Sequence, residues 1–236
     1  MKQVKLSEFI AYLEAQIGQP YLWGGQHTEL TPDNYKTVIK RRESDPANRV
    51  KVEKFCEALF AQGQTVLYAY DCSGLGMYYL QNVTGVYAHD LSANGMMGQC
   101  AVKFEPKKGY WVFRTDSTGC ATHIGYMVSD TELIEAKGRA YGVVRTVYRK
   151  KDWNVIGKPK CIDFEEVHPV GGTVEVIGRS VNVRNAPNST GKHVMTAHRG
   201  DTFPLLGIAS SGWYQIDTGR DFDTFISNRK DLTRIV

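Results

Sequence analysis

Residues 70–80 read Tyr-Asp-Cys-Ser-Gly-Leu-Gly-Met-Tyr-Tyr-Leu (YDCSGLGMYYL). An acid and a Ser-Gly pair flank Cys72, and an apolar run follows. Asp71 suits the cap of a helix that begins here. The first turn of such a helix leaves backbone N–H groups unpaired and carries a partial positive charge. A thiol placed there ionises more easily, and the thiolate is the nucleophile. The same N–H groups can hold an oxyanion. Ser73 and Gly74 are small enough for a substrate backbone to approach. Against this stands the ordinary fate of a free cysteine, burial as a small hydrophobe. The stretch alone leaves both readings open.

A cysteine nucleophile needs a base, and the base needs an orienter. Residues 120–138, CATHIGYMVSDTELIEAKG, contain both residue types. His123 opens a predicted strand, and Glu135 follows it by twelve residues after a turn at Ser129-Asp130. An odd-numbered hairpin loop puts the two side chains on one face, opposite each other; an even one separates them. In the good register Glu135 accepts the imidazole N–H and fixes its tautomer, as Asp does in the serine triad. A surface histidine and a solvated glutamate are the alternative. Cys120 is a second thiol near the same strand or a packing residue at the loop end. Cys56, Cys100 and Cys161 read as structural, and the other five histidines as surface or loop residues.

Outward from these segments, the fold class follows. The chain has 236 residues, which suits one or two domains. Hydrophobic residues make up 42% and charged residues 23%, enough for a sizeable core. The net charge of +4 is too weak to argue for nucleic acid, and no nucleic-acid partner is expected. Five cysteines at irregular spacing indicate neither a zinc site nor a disulfide framework, so no metal or cofactor is expected. The N-terminal residues Leu6, Phe9, Ile10, Leu13 and Ile17 have helical spacing, which predicts an amphipathic helix ending at Gly18 rather than a signal peptide. No run is long enough to span a membrane. Residues 27–69 are highly charged and predict two helices split at Asp45-Pro46. The second, over 47–61, has Val50, Val52, Phe55, Leu59 and Phe60 on its apolar side. A third helix runs from Cys72 to about Gln81. Then YWVFR, HIGYMVS, ELIEAKG and GVVRTVYR read as antiparallel strands. Helices followed by strands predict an α+β domain over 1–157. Residues 158–172 read as a linker, and 173–236 as a small all-β barrel.

Three ordered motifs carry a family resemblance: GQPYLWGGQ at 18–26, YDCSGL at 70–75, and HIGYMVSDTELIEA at 123–136. Together they resemble the NlpC family of bacterial cell-wall cysteine peptidases, which have a papain-like fold. The resemblance implies that Cys72 is the nucleophile, His123 the base and then the acid, and Glu135 the orienter. It makes Tyr21, Trp23, Asp71 and Ser73 the candidate substrate-binding residues. Tyr21 lines the site as a donor to substrate or oxyanion, or else is a buried aromatic. The chain departs from the family pattern in four places. Glu135 stands where His is usual, and Tyr110 where an acid is usual. AHDLSANGM replaces a Pro-Arg-Thr segment, and the helical insertion 27–69 is unusually long. That insertion either narrows the cleft or is a solvated decoration.

The C-terminal stretch resembles the bacterial Src-homology-3-like domain. Val181, Asn182, Val183, Arg184, Pro187, Gly200-Asp201 and Gly212-Trp213-Tyr214 carry this likeness. It implies wall binding through Trp213 and Tyr214, or else a packing role. The whole chain therefore reads as a bacterial peptidoglycan endopeptidase of the thiol type. Its expected partner is the stem peptide, cleaved at the γ-D-glutamyl–diamino acid bond. With no signal peptide seen, it acts after export or phage-type lysis, as a lysin would, or is otherwise cytoplasmic. The alternatives are a papain-like wall amidase or acyltransferase, or a silent wall-binding protein with an occluded cleft. Oligomeric state is not legible.

Overall fold

The computed structural model describes residues 2–103, 105–164, 167–220 and 222–236. The chain forms two compact units, Met1–Asp163 and Phe164–Val236.

In unit 1, β1 (Val4–Lys5) leads into α1 (Leu6–Ala15), which buries Phe9, Ile10 and Leu13. The helix stops at Ala15, so Ile17 lies outside it and is exposed, unlike the expected apolar face. The insertion holds β2 (Thr28–Leu30), α2 (Tyr35–Arg42), α3 (Pro46–Ala61) and β3 (Leu67–Ala69). Asp45 caps α3 by accepting from Ala47 N–H, and Pro46 takes the first helical position, where a missing N–H costs nothing. Leu30, Ile39, Val52, Cys56 and Leu67 build a core for this insertion with Leu22. Val50 points outward instead, because Val52 and Cys56, four residues apart, define the buried stripe.

The segment around Cys72 forms α4 (Cys72–Met77), which continues as a π-helical turn over Tyr78–Val83. Then come α5 (Ala93–Gly98), β4 (Cys100–Lys103), β5 (Trp111–Thr115), β6 (Ala121–Met127), β7 (Glu132–Gly138) and β8 (Gly142–Val147). A 3-10 turn at Lys150–Asp152 precedes β9 (Val155–Pro159) and β10 (Ile162–Asp163). Six strands make one antiparallel sheet in the order β4-β9-β5-β6-β7-β8. Strand alternation gives the sheet two faces. Trp111 and Tyr126 are paired on one face and meet Phe9 of α1 at 6.3 and 5.7 Å. The other face gathers Val112, Met127 and Leu133 under Trp153 and Ile156. The expected linker begins too early. Lys158 and Pro159 finish β9 against Ala101 and Cys100, and Ile162-Asp163 pair with Val4-Lys5. Residues 165 and 166 of that stretch lie outside the described residues.

Unit 2 holds β11 (Val167–Pro169), β12 (Thr173–Val176), β13 (Ser180–Arg184), β14 (His193–His198), β15 (Thr202–Ala209), β16 (Tyr214–Ile216), β17 (Thr224–Ile226) and β18 (Thr233–Ile235). The expected strand content is present, but the closed barrel is not. Among the described residues the path runs β14-β13-β17-β16-β15-β12-β18, with β11 on β15, and its ends do not pair. The long β15 is shared: Thr202–Pro204 pair with β12, and Gly207–Ala209 with β11. Val174, Val176, Val183, Leu205, Ile216 and Ile226 fill its core, with Tyr214 packed against it.

Candidate active site

The loop after α1 is laced between two parts of unit 1. Gly18 N–H and Val143 C=O pair at 2.9 Å, and Val143 N–H and Gln19 C=O at 2.8 Å. On its other side, Tyr70 N–H reaches Pro20 C=O, and Leu22 N–H reaches Tyr70 C=O. These bonds bring Tyr21 alongside the chain that leads to Cys72. Asp71 N–H donates to Gly25 C=O at 2.8 Å, which joins the Trp-Gly-Gly and Asp-Cys-Ser-Gly motifs. The contact is tight: a Cβ on Gly74 would sit 2.0 Å from that same Gly25 oxygen.

Asp71 caps α4. Its Oδ1 accepts from Gly74 N–H at 2.6 Å and from the Ser73 hydroxyl at 3.1 Å. Burial raises the Asp71 carboxyl above its ordinary value against the pull of these bonds. Cys72 is buried, and the backbone N–H groups of Ile124, Ser73 and Cys72 face its sulfur. Burial, followed by the nearby Asp71 charge, outweighs those N–H groups and pushes the thiol up to about 11. The thiol thus keeps its proton at neutral pH. Tyr126 holds the helix start on the sheet by donating its hydroxyl to Cys72 C=O at 3.1 Å.

His123 Nε2 and Glu135 Oε2 lie 2.8 Å apart. The hairpin pairs Tyr126 with Ile134 and Met127 with Leu133, leaving five residues in its loop. That odd number places both side chains on one face, as the good register requires. They are diagonal rather than opposite, because the same register puts Glu135 across from Gly125. Glu135 is only 2% exposed and is held at both oxygens. Thr146 donates to Oε1 at 3.0 Å, and Arg114 lies 3.8 Å from Oε2. Burial alone would raise its carboxyl; the bonds from His123 and Thr146 and the charge of Arg114 win, and it sits below its ordinary value. The imidazole stacks on Trp153 at 5.7 Å and 19°. Gly125 makes room for that indole, since a Cβ there would lie 2.9 Å from it. A pocket of about 440 Å³ opens behind Glu135, lined by Arg114, Lys137, Thr146, Arg149 and Trp153 among others.

The structure thus brings Cys72 to the backbone beside His123, and His123 to Glu135. Among the described residues no hydrogen bond joins thiol to imidazole. Tyr21 is buried, with Arg139 over its ring at 5.3 Å, and burial beside Cys72 raises its phenol. Trp23 is 60% exposed, and its backbone N–H donates to Glu43 at 3.1 Å. Ser73 turns its hydroxyl to Asp71.

Glu43, at the end of α2, is buried and also pairs with Arg139 at 2.8 Å. The insertion is therefore bonded to the Tyr21–Trp23 loop through one carboxylate. The segment that replaces Pro-Arg-Thr forms α5, and its Asn94 accepts from Ala121 N–H at the start of the His123 strand. His27 is no ordinary loop histidine. It has a φ of 58° and lies flat between Tyr68 and Tyr78 at 3.9 and 4.0 Å. Arg114, Thr146 and Trp153 escaped the sequence reading. Alternation along WVFRT and GVVRTV sets Arg114 and Thr146 on the His123 face, a signal that was there to use; Trp153 had none.

The NlpC/P60 family model matches residues 18–156, more than half of the chain. The chain belongs to the NlpC/P60 family. Three solved structures give the scale of the likeness. The P60 domain of an antigen from M. avium subspecies paratuberculosis is 18% identical, with 66% of this chain and 94% of that one covered and a TM-score of 0.43. The peptidoglycan hydrolase RipB from Mycobacterium tuberculosis is 19% identical, with 67% of each chain covered and a TM-score of 0.41. The NlpC/P60 domain of the peptidoglycan hydrolase SagA is 18% identical, with 65% and 98% covered and a TM-score of 0.40. A search of curated proteins finds no match. Among the described residues no helix is long and apolar enough to cross a membrane.

Proposed function

We propose that this NlpC/P60 protein is a peptidoglycan hydrolase that cleaves stem peptides at the γ-D-glutamyl–diamino acid bond, with Cys72, His123 and Glu135 as its catalytic residues. The observation that carries this reading is the 2.8 Å His123–Glu135 hydrogen bond on a carboxylate buried at the sheet face. Glu135 engages Nε2, which leaves Nδ1 to receive a proton. A thiol that rests protonated needs such a base at the moment of attack.

In the proposed sequence His123 takes the Cys72 proton as sulfur bonds to the scissile carbonyl carbon. The negative charge passes to the carbonyl oxygen, where the helix-start N–H groups and the Tyr21 hydroxyl are the available donors. The C–N bond then breaks, and His123 returns its proton to the leaving amine. Water, deprotonated by the same imidazole, attacks the thioester carbon; the C–S bond breaks, and His123 returns that proton to the Cys72 sulfur. Asp71 and Ser73 shape the helix start, and Trp23 offers an exposed aromatic surface to the substrate. In unit 2, the strand-rich chain and its Src-homology-3-like sequence support a wall-binding role.

The test is incubation with purified wall fragments, wild type against Cys72→Ala, with amine release and product masses measured. The wild type should release the amine of the diamino acid, and the variant should be silent. No release, or equal release from both, rejects the peptidase. Products of an amide or acyl-transfer reaction elsewhere reject the bond assignment.

A further inference from the structure

Arg114 lies outside the candidate triad, yet it shares both partners of His123. The β5–β6 register sets it directly opposite His123. Its Nη2 is 3.8 Å from Glu135 Oε2, the oxygen that faces the imidazole. Its Nε donates to Asp152 C=O at 3.0 Å, which fixes the guanidinium in place. Its guanidinium carbon lies 4.7 Å from the centre of the Trp153 ring, the indole that stacks on His123. A flat cation on an aromatic face is a geometry arginine provides and lysine does not.

The charged and titratable groups near His123 and its partner Glu135 come from four segments. Arg114 on β5 and Glu135 on β7 face the imidazole directly; Lys137 on β7 and Arg149 and Asp152 after β8 line the pocket behind Glu135, and Cys72 on α4 faces the backbone of the next residue, Ile124. Arg149 is paired with Asp152 at 3.0 Å, and Lys137 lies over Tyr141. Among the described residues Arg114 is thus the arginine or lysine paired with Glu135. A carboxylate alone beside an imidazole favours the imidazolium, which cannot accept a proton. A cation on the same carboxylate weakens that preference.

We propose that Arg114 is a positioning residue. It holds Glu135 and Trp153 against His123 and limits how strongly Glu135 stabilises the imidazolium, so the base stays available. The catalytic part of this rests on the peptidase reading; the electrostatic part does not.

The test compares full-length wild type with Arg114→Met and Arg114→Lys. The His123 titration is followed by NMR, and the pH profile is measured on wall fragments. In Arg114→Met the imidazole midpoint should rise by roughly half a pH unit or more. The acidic limb of kcat/KM should rise with it, while KM stays within about twofold. Arg114→Lys should keep the midpoint but lose kcat severalfold, because an ammonium cannot lie flat on Trp153. An unmoved midpoint in folded Arg114→Met overturns the proposal. So does a loss confined to KM, which would make Arg114 a substrate contact. If Arg114→Met does not fold, Arg114→Lys decides, and wild-type kcat there overturns it. The titration needs no substrate. A protein that hydrolyses no wall fragment yet shows the midpoint shift loses the peptidase reading and keeps the electrostatic role of Arg114.

Discussion

Glu135 is the residue on which the site turns. It is a buried carboxylate with three partners, and burying a charge is tolerated only when it is paired and hydrogen-bonded. Its charge therefore bears on stability and, in the proposed mechanism, on activity. Glu135→Gln keeps the shape and removes the charge, so kcat/KM on wall fragments should fall by about 10²–10⁴-fold. The stability effect has a definite sign. The folded carboxyl lies below its ordinary value, so its contribution is present above the unfolded glutamate value of about 4.3. That contribution is lost as pH falls through the folded value. Denaturation of wild type and Glu135→Gln from pH 7 to pH 3 should show a gap that closes at low pH. A gap independent of pH would mean that packing, not charge, had been lost.

At the scale of elements, the decisive contact is between two motif loops. In an ordinary helix Ala in place of Gly stabilises by about 1 kcal/mol. At Gly74 the sign reverses, because a Cβ would lie 2.0 Å from the backbone oxygen of Gly25. Neither backbone can yield without moving Asp71 or the Leu22–Gly25 turn. Gly74→Ala should therefore lose about 2–4 kcal/mol, read from chemical denaturation. A neutral or stabilising result would show that the two loops are not in contact. Much of this scale was legible in the sequence. Four of the six strands of the sheet, β5 to β8, were marked by β-branched and aromatic runs between turn residues, and Asp45-Pro46 marked a helix start; β4 and β9 were not expected. What escaped depended on register and on distant partners. Whether Glu135 faces His123 hung on one loop residue more or less. Arg114, Thr146 and Trp153 come from three other segments, and Glu43 reaches the Tyr21–Trp23 loop across the insertion. Alternation within a strand gives the face that Arg114 and Thr146 occupy, but not which side chains of other segments meet them there. The unclosed sheet of unit 2 escaped for a related reason: strand runs and turns predict strands, but closure depends on which edges pair.

At the scale of the molecule, unit 1 ends later than composition suggests. Pro159 and the charge cluster after it look like a linker, yet β9 and β10 are strands of the first unit. A fragment ending at 163 should unfold cooperatively. One ending at 157 loses the pairing of β9 with β4 at its end, and all of β10, and should melt several degrees lower by circular dichroism. Equal melting would return the boundary to 157. The β1–β10 pair carries one more consequence. Val4 lies across from Ile162 in parallel register, so the way into unit 1 and the way out are about 5 Å apart. A unit whose entrance and exit adjoin can be carried as a cassette: spliced into a loop of another protein, or reopened at the exposed Gln62–Gly63–Gln64 turn after its old ends are bridged.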